Sequence, residues 1–300
     1  MTVIILTYNE ELHIARCLKS IDTIASRIVV VDSFSTDGTC EIAQAYGAEV
    51  MQHAFINQAQ QFQWALDNTD IMTDWVMRLD ADEVIEPDLA SEIRQRLDLL
   101  PSDVVGVNLN RKHIFLGRWI RHGGRFPLAL LRIWRRGRGR IEPRWMDEHI
   151  VVDGGRTVTF AFSFADHNLN DLTYFTDKHN KYATREAVEI LGKKYGLFSR
   201  ETMLTRKTTS FQASLKRGLK EKFYNRLPFW LGPLGYFFYR YVVSLGFLDG
   251  KPGLIYHFLQ GFWYRFLVGA KVAELERGLA GASSPKARRD RLRRLTGFHL

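Results

Sequence analysis

Apolar runs alternate with amphipathic segments along the first hundred residues. The runs are rich in Val, Ile and Leu and lack polar alternation, whereas the intervening segments place apolar residues at helical spacing. This pattern predicts, in order, strands at 2–6, 27–31, 49–51 and 75–79, and helices at 11–20, 39–46, 58–66 and 87–97. Strands of this kind, separated by helices, are typical of a parallel sheet covered on both faces. We therefore predict an α/β fold.

The pattern changes after residue 100. Two further strands are predicted at 104–110 and 130–134, and the segment between them is basic and loop-like, which indicates a mixed sheet. A long helix is predicted at 171–195, followed by a basic stretch at 200–226. Aromatic residues then crowd together at 228–275. These features predict a helical extension after the α/β domain.

The composition is that of a globular protein. Of 300 residues, 46% are hydrophobic and 25% charged, which excludes a disordered or fibrous chain. Cys17 and Cys40 cannot build a disulfide framework and lack the spacing of a zinc site, so we expect a reducing compartment such as the cytosol. The first residues carry no basic region and break after a short apolar run, so we expect a strand there rather than a signal peptide.

The net charge of +9 hides an asymmetry between two parts of the chain. Residues 1–100 hold 6 Lys and Arg against 17 Asp and Glu, a net charge of −11. Residues 101–300 hold 36 against 16, a net charge of +20. An acidic half suits a divalent cation, and a basic, aromatic half suits polyanions or an anionic membrane surface.

Three polar clusters follow predicted strands directly, at 7–10, 32–39 and 80–83. Ligands of open α/β sheets bind beyond the carboxyl ends of the strands, so these clusters are the first candidates for a site. Aspartates two residues apart after a strand can face one hard cation. The alternative is that these acids cap the helix at 87–97, where negative charge is favoured. No glycine-rich phosphate loop is present, so a metal would have to neutralise a bound diphosphate.

The same clusters resemble a known family. The segments TYNEE at 7–11, VVDSFSTDGT at 30–39 and RLDADE at 78–83 resemble the nucleotide-sugar half of glycosyltransferase family 2. Its members are inverting enzymes with the GT-A fold, a Rossmann-like, mostly parallel mixed sheet with helices on both faces. The segments at 178–187 and 245–268 resemble the branch of β-glucosyltransferases that act on lipopolysaccharide core and exopolysaccharide.

The resemblance implies roles for residues on the donor side. Thr7, Tyr8 and Glu10 would line the nucleoside pocket. Asp32 would accept a hydrogen bond from the uracil N–H, and Asp80 would face the ribose or the phosphates.

The resemblance also implies a metal and a general base. Asp82 would hold Mn²⁺ or Mg²⁺, and His167 is either a further metal ligand or a turn residue. Displacement at the anomeric carbon needs a base on the acceptor hydroxyl. The adjacent acids Asp147 and Glu148 lie in an otherwise Arg-rich region and resemble the family's base motif, although a His does not precede the Glu. We favour Glu148; ion pairing of both acids to nearby arginines is the alternative.

These considerations predict a metal-dependent inverting hexosyltransferase, with a catalytic domain at 1–205 and a basic, aromatic helical extension at 206–300. Within the domain, 1–100 would be the donor half and 101–205 the acceptor half. The expected partners are a UDP-sugar, most simply UDP-glucose, and a lipid-linked saccharide. The segment at 228–272, interrupted by Pro233 and Arg240, would dock peripherally on anionic lipid at the cytoplasmic face of the inner membrane.

Three alternatives stay open at this point. The acceptor could be soluble, and the aromatic segment could be an ordinary helical subdomain. A basic nucleic-acid-binding protein is a third interpretation, supported only by the basic part of the chain. The acidic first hundred residues would repel phosphates in that case, so we expect no nucleic-acid partner.

Overall fold

The apolar runs of the first hundred residues form parallel strands of a nine-stranded sheet in the computed structural model, which describes residues 1–142, 149–197 and 230–298. The strand order is β3-β2-β1-β4-β8-β6-β11-β5, with β7 paired to β6, and β9 and β10 form a separate pair. The strands are β1 (Thr2–Thr7), β2 (Arg27–Asp32), β3 (Glu49–Gln52), β4 (Trp75–Asp80), β5 (Glu83–Ile85), β6 (Val104–Phe115), β7 (Arg118–Trp119), β8 (Ala129–Arg135), β9 (Gly139–Ile141), β10 (Ile150–Val152) and β11 (Arg156–Asp166).

Parallel and antiparallel pairings alternate in blocks along this sheet. The β1–β2, β1–β4, β2–β3 and β6–β11 pairs are parallel, whereas β8 runs antiparallel to both β4 and β6, and β5 runs antiparallel to β11. Because β4 and β6 are both antiparallel to β8, they run parallel to each other. The carboxyl ends of β1, β2, β4, β6 and β11 therefore share one edge of the sheet.

Helices cover both faces of the sheet, as the uninterrupted apolar strands require. Alternate residues of β1 point to opposite faces. Val3 and Ile5 belong to the core beneath α1 (Glu11–Ile21), α2 (Thr39–Ala45) and α4 (Pro87–Arg96), whereas Ile4 belongs to the core beneath α3 (Gln58–Asn68). The predicted fold class, a mixed and mostly parallel sheet with helices on both faces and a helical, aromatic-rich carboxyl-terminal region, is confirmed.

The chain divides into two units, Met1–Leu169 and Asn170–Leu300. The second unit is helical in its described part. Its hydrophobic core consists of Ala187, Val188, Leu191, Leu197, Leu275, Leu279 and Leu292. The helices of this unit are α5 (Leu172–Tyr195), α6 (Leu231–Phe238), α7 (Gly250–Tyr256), α8 (Tyr264–Gly278) and α9 (Pro285–Thr296), with π-helical segments at Tyr239–Val243 and His257–Trp263 and a short 3₁₀ helix at Gly246–Asp249.

The long helix predicted at 171–195 is observed as α5, within the second unit. The expected domain boundary at 205 and 206 lies outside the described residues and stays a prediction. Among the helices that the structure describes, none has both the length and the apolar character that crossing a bilayer demands.

Candidate functional site

The three polar clusters predicted after strands lie at the same edge of the sheet. In the parallel ladders Thr7 is opposite Asp32, and Leu6 is opposite Asp80. The strand order reverses between β1 and β4, because β2 and β3 extend the sheet to one side of β1 and β4 lies on the other. Crevices at such a reversal are where open α/β sheets bind their ligands.

Asp32 is fully buried and organises the loop after β2. Its Oδ1 accepts hydrogen bonds from the hydroxyls of Thr7 (2.9 Å) and Ser35 (2.5 Å), and its Oδ2 accepts one from the Ser35 backbone N–H (2.8 Å). Burial acts to raise the pKa of Asp32, but the hydrogen bonds outweigh it and hold that pKa below its ordinary value. The structure thus shows a loop-ordering role for Asp32, and its predicted contact with a uracil stays a prediction.

Asn9 ties the loop after β1 to the loop after β2. Its backbone N–H donates to Ser35 Oγ (2.8 Å), and its side-chain oxygen accepts from the Thr36 backbone N–H (2.9 Å). The residues directly before Asn9 and Ser35 are exposed aromatics, Tyr8 with 60% and Phe34 with 54% of its surface accessible. Phe34 has a positive φ of 59°, which is uncommon for an aromatic residue. The two loops therefore hold Tyr8 and Phe34 at the rim of the site.

Glu10 contacts a buried histidine, His13, that was not predicted from the sequence as a site residue. Glu10 Oε2 lies 2.7 Å from His13 Nδ1, and His13 Nε2 accepts a hydrogen bond from the backbone N–H of Leu169 (2.9 Å). Because the Leu169 N–H donates to Nε2, the proton of the neutral ring is on Nδ1 and is donated to Glu10. The i, i+3 spacing of Glu10 and His13 at the start of α1 could have indicated their contact. No local pattern indicates the contact of His13 with Leu169.

Asp80 lies between two arginines at the end of β4. Its carboxylate is 3.4 Å from Arg78 Nε and 3.5 Å from the Arg132 guanidinium, and a third of its side chain is exposed (34%). Burial acts to raise the pKa of Asp80, but Arg78 and Arg132 overcome it and hold the pKa below its ordinary value. Asp80 is therefore ionised at neutral pH and partly open to a ligand.

Glu83 is the buried member of the same cluster. It pairs with Arg132, and its Oε2 accepts a hydrogen bond from the Asp80 backbone N–H (3.0 Å). Burial raises the pKa of Glu83 well above its ordinary range, and Arg132 opposes that rise. Since Arg132 contacts both carboxylates, it holds the β4–β5 turn and with it the position of Asp82.

Asp82 and His167 are neighbours in space although 85 positions separate them. The short strand β5 pairs with β11 so that Glu83 is opposite Asp166, and the His167 backbone N–H donates to the Asp82 carbonyl (3.0 Å). Asp82 Oδ2 also accepts from the Asn168 side chain (2.9 Å). Burial and the nearby Arg16 lower the pKa of His167, so its imidazole is neutral at physiological pH, the form that ligates metals.

A further acid, Asp166, lies beside these residues. Asp166 Oδ2 is 3.1 Å from His113 Nδ1 and 3.5 Å from the Arg111 guanidinium. Burial acts to raise the pKa of Asp166, but His113 and Arg111 outweigh it and hold the pKa far below its ordinary value. Sequence reasoning missed this group because the pairing of β6 with β11 brings together residues 53 positions apart.

Two of the predicted residues cannot be placed. Asp147 and Glu148, the candidates for the general base, lie outside the described residues. Within the ranges that the structure describes, no three His, Cys, Asp or Glu side chains converge on one point as a complete metal site. The assignment of Asp82 and His167 as metal ligands stays a prediction.

Comparison with known proteins identifies this unit. The model of the family described as "Glycosyl transferase family 2" matches residues 2–169, the same residues that form the first unit, less Met1. An uncharacterized glycosyltransferase of Rickettsia typhi is 37% identical over 93 residues, which is 31% of this chain and 31% of that protein. The match thus spans about a third of the length of this Rickettsia relative.

A longer match is to a lipopolysaccharide core biosynthesis glycosyltransferase, LpsC of Rhizobium meliloti. It is 28% identical over 200 residues, covering 62% of this chain and 70% of that protein. Among solved structures, the glucosyl-3-phosphoglycerate synthase of Mycobacterium tuberculosis, in complex with Mn²⁺, UDP and glucosyl-3-phosphoglycerate, covers 58% of this chain and 74% of its own. Its sequence identity is 17% and the TM-score is 0.39.

Proposed function

The chain belongs to glycosyl transferase family 2, and from this premise we propose that it moves a hexose from a UDP-sugar to a lipid-linked saccharide. Glucose is the hexose that we propose. The similarity to a lipopolysaccharide core glycosyltransferase supports an acceptor in the biosynthesis of lipopolysaccharide core or exopolysaccharide.

The observation that carries this proposal is the position of Asp82 and His167 beside the ordered loops after β1 and β2. Tyr8 and Phe34 are exposed on those loops, where a nucleobase could stack. Asp80 and Asp82 lie at the end of β4, on the other side of β1. A nucleoside on the loops would thus direct its diphosphate toward the carboxylates of β4.

The side chains present fit a divalent cation. A carboxylate and a neutral imidazole are ligands of Mn²⁺, and Mg²⁺ is commonly held by one or two carboxylates together with substrate phosphates. Asp82 and His167 would hold the ion, with Asp80 nearby and the donor supplying phosphate oxygens. When bound, the ion would neutralise charge on the departing diphosphate. Arg16, Arg78 and Arg132 hold the backbone and carboxylates of this region in place.

The proposed reaction inverts the anomeric centre and needs a base for the acceptor hydroxyl. We propose Glu148 as this base, with Asp147 as the alternative, on the basis of the sequence resemblance. A carboxylate that accepts the hydroxyl proton as the bond to the anomeric carbon forms contributes about 10²- to 10⁴-fold to the rate.

The second unit supports docking on a membrane. Between residues 230 and 258 it exposes large apolar side chains along consecutive helical segments, and α9 is rich in arginine. Exposed apolar side chains and a basic helix within one unit suit the interface of an anionic bilayer. We propose that this unit docks peripherally on the cytoplasmic face of the inner membrane. The exposed residues are Trp230, Leu234, Phe238, Tyr239, Val242, Val243, Leu245, Phe247, Leu248, Leu254 and Phe258.

A scan of nucleotide sugars tests the donor and the metal together. We expect UDP-glucose to be hydrolysed slowly without acceptor and to protect the protein against thermal unfolding, and we expect both effects to require Mn²⁺ or Mg²⁺. Asp82→Asn should abolish them, whereas Asp67→Asn, at an exposed position on α3, should not. Retention of activity within about tenfold in Asp82→Asn or after EDTA treatment would refute the metal site, since tenfold is only about 1.4 kcal/mol of barrier.

A further inference from the structure

A basic hairpin lies at the same edge of the sheet as the candidate metal site. Residues 111–125 read RKHIFLGRWIRHGGR, with five Lys or Arg, two His and no Asp or Glu. They comprise the end of β6, a tight turn, β7 and the loop that follows. We name residues 111–125 the basic hairpin.

The basic hairpin is next to Asp82 through an unbroken row of paired strands. Asp166 of β11 is opposite Glu83 of β5 on one side and opposite His113 of β6 on the other. Glu83 directly follows Asp82. The hairpin is therefore within one strand of the carboxylates that we assign to the donor diphosphate and the metal.

Trp119 forms the centre of the basic hairpin. Lys112 Nζ lies 4.7 Å and the Arg121 guanidinium carbon 5.2 Å from the centroid of its ring, and Phe126 packs edge-on against it at 4.9 Å. Lys112 and Arg121 thus both make cation–π contacts with the indole ring of Trp119. The buried Trp119 Nε1–H has no acceptor in the described part of the chain, and a buried donor left unpaired costs about 1–3 kcal/mol.

Arg121 differs from the other cations near Trp119. Lys112 is bound to both carboxylate oxygens of Glu86 (2.6 and 2.8 Å), so its charge is compensated. Arg121 is exposed, and no carboxylate in the described ranges lies within ion-pair distance of it. Its guanidinium lies over the Trp119 ring, and this contact favours one orientation of its N–H donors before any ligand arrives.

We propose that the basic hairpin binds a phosphate group of the acceptor, with Arg121 as the principal contact. The site would select acceptor saccharides that carry a phosphate close to the hydroxyl to be glycosylated. Planar guanidinium groups bind phosphate oxygens in pairs, which gives orientation as well as affinity. This inference rests on the proposed function for the identity of its ligand, but the anion site itself can be tested without a donor.

The test uses the full-length protein and inorganic phosphate as the probe. We expect phosphate to raise the midpoint of thermal unfolding above that in chloride of equal ionic strength, with saturation. Arg121→Gln should weaken the apparent affinity for phosphate about threefold to tenfold. Arg138→Gln is the matched control, because Arg138 is an exposed arginine in the turn after β8, at the opposite edge of the sheet. It should leave the affinity unchanged.

A second arm distinguishes the two sources of phosphate. The titration is repeated with UDP and Mn²⁺ at saturation, and we expect protection by phosphate to persist. Its loss under UDP would assign the anion to the donor diphosphate and overturn the acceptor site. Protection no greater than that by chloride, or equal weakening in Arg138→Gln, would also overturn it. Protection by phosphate without any protection by UDP would refute the proposed donor while leaving the anion site intact.

Discussion

The hydroxyl of Thr7 donates a hydrogen bond of 2.9 Å to the buried carboxylate of Asp32, across the last pair of residues that β1 and β2 share. This contact holds together the two loops on which Tyr8 and Phe34 are exposed. It is also a contact to a charged group in a buried place, where a hydrogen bond contributes more than it does at the surface.

The pH dependence of stability should report this hydrogen bond. The pKa of Asp32 is lower in the folded protein than its ordinary value, so its contribution to stability is present above about pH 4 and is lost as the pH falls through the folded-state pKa. Thr7→Val should therefore cost about 1–2 kcal/mol at pH 7 and progressively less toward pH 3. Urea unfolding at several pH values measures both costs.

Thr2→Val is the matched control for that experiment. Thr2 is also buried on β1, and its hydroxyl bonds to the hydroxyl of Thr73 (2.8 Å) rather than to an acid. Its cost should be the same at pH 7 and at pH 3. If the stability lost in Thr7→Val is also independent of pH, the hydrogen bond to Asp32 is not the source of that loss.

Sequence periodicity located β1 to β4 and α1 to α4 in the first hundred residues because each was a local pattern, whereas the short strand β5 was not predicted. The strand predicted at 27–31 is β2, and the helix predicted at 39–46 is α2, each within one residue of its observed end. The strand β11 was not predicted. Its alternating residues Thr157, Thr159 and Ser163 are polar, so it lacks the continuous apolar run that marked the others.

The residues of the candidate site were predictable from sequence only where polar side chains directly follow a strand. Asp80 and Asp82 stood out for that reason. The partners that hold them did not, because Arg132 reaches Glu83 across 49 positions and His13 reaches Leu169 across 156. Such contacts depend on the pairing of β4 with β8 and of β5 with β11, which no local pattern specifies.

Phe34 is an exposed aromatic residue with a left-handed backbone, a conformation that aromatic residues disfavour. At a φ of 59° an aromatic residue costs about 1–2 kcal/mol relative to a conformation it prefers, whereas glycine adopts this region freely. We expect Phe34→Gly to be more stable than Phe34→Ala by about 1 kcal/mol, since both remove the ring but only glycine relieves the strain. Urea unfolding of the two variants checks the difference.

Tyr8 supplies the control for Phe34. It is equally exposed but does not have a positive φ. There the order should reverse, with Tyr8→Gly less stable than Tyr8→Ala by about 0.5–1 kcal/mol, because glycine adds entropy to the unfolded chain. The same order of Gly and Ala at both positions would mean that strain at Phe34 is negligible.

The proposed base can be separated from the donor site by kinetics. Glu148→Gln should retain its affinity for the donor, and the donor should be hydrolysed in the absence of acceptor at nearly the wild-type rate. Transfer to the acceptor should fall by about 10²- to 10⁴-fold. Asp147→Asn is the comparison, and a larger loss of transfer there would move the role to Asp147. Equal losses of donor binding and of transfer in Glu148→Gln would instead assign that residue to structure.

Membrane docking by the second unit predicts a specific dependence on lipid and on side chains. Full-length protein should float with liposomes that contain anionic lipid and should dissociate as salt rises, because the electrostatic attraction is screened over about 10 Å at 0.1 M. The double variant Phe238→Ser, Val243→Ser removes two of the most exposed apolar side chains, which are 57% and 60% accessible. We expect it to bind at least about tenfold more weakly, equal to about 1.4 kcal/mol.

The control for this variant removes two apolar side chains elsewhere that are at least as exposed. Leu99→Ser with Met72→Ser alters two side chains of the first unit that are 81% and 71% accessible, and liposome binding should be unaffected. Equal weakening by both pairs would indicate nonspecific adsorption. Binding to liposomes that salt does not reduce and only detergent reverses would mean insertion rather than docking. If the protein does not float with any lipid, a soluble acceptor is favoured, because the enzyme would then not reach a lipid-linked one by membrane docking.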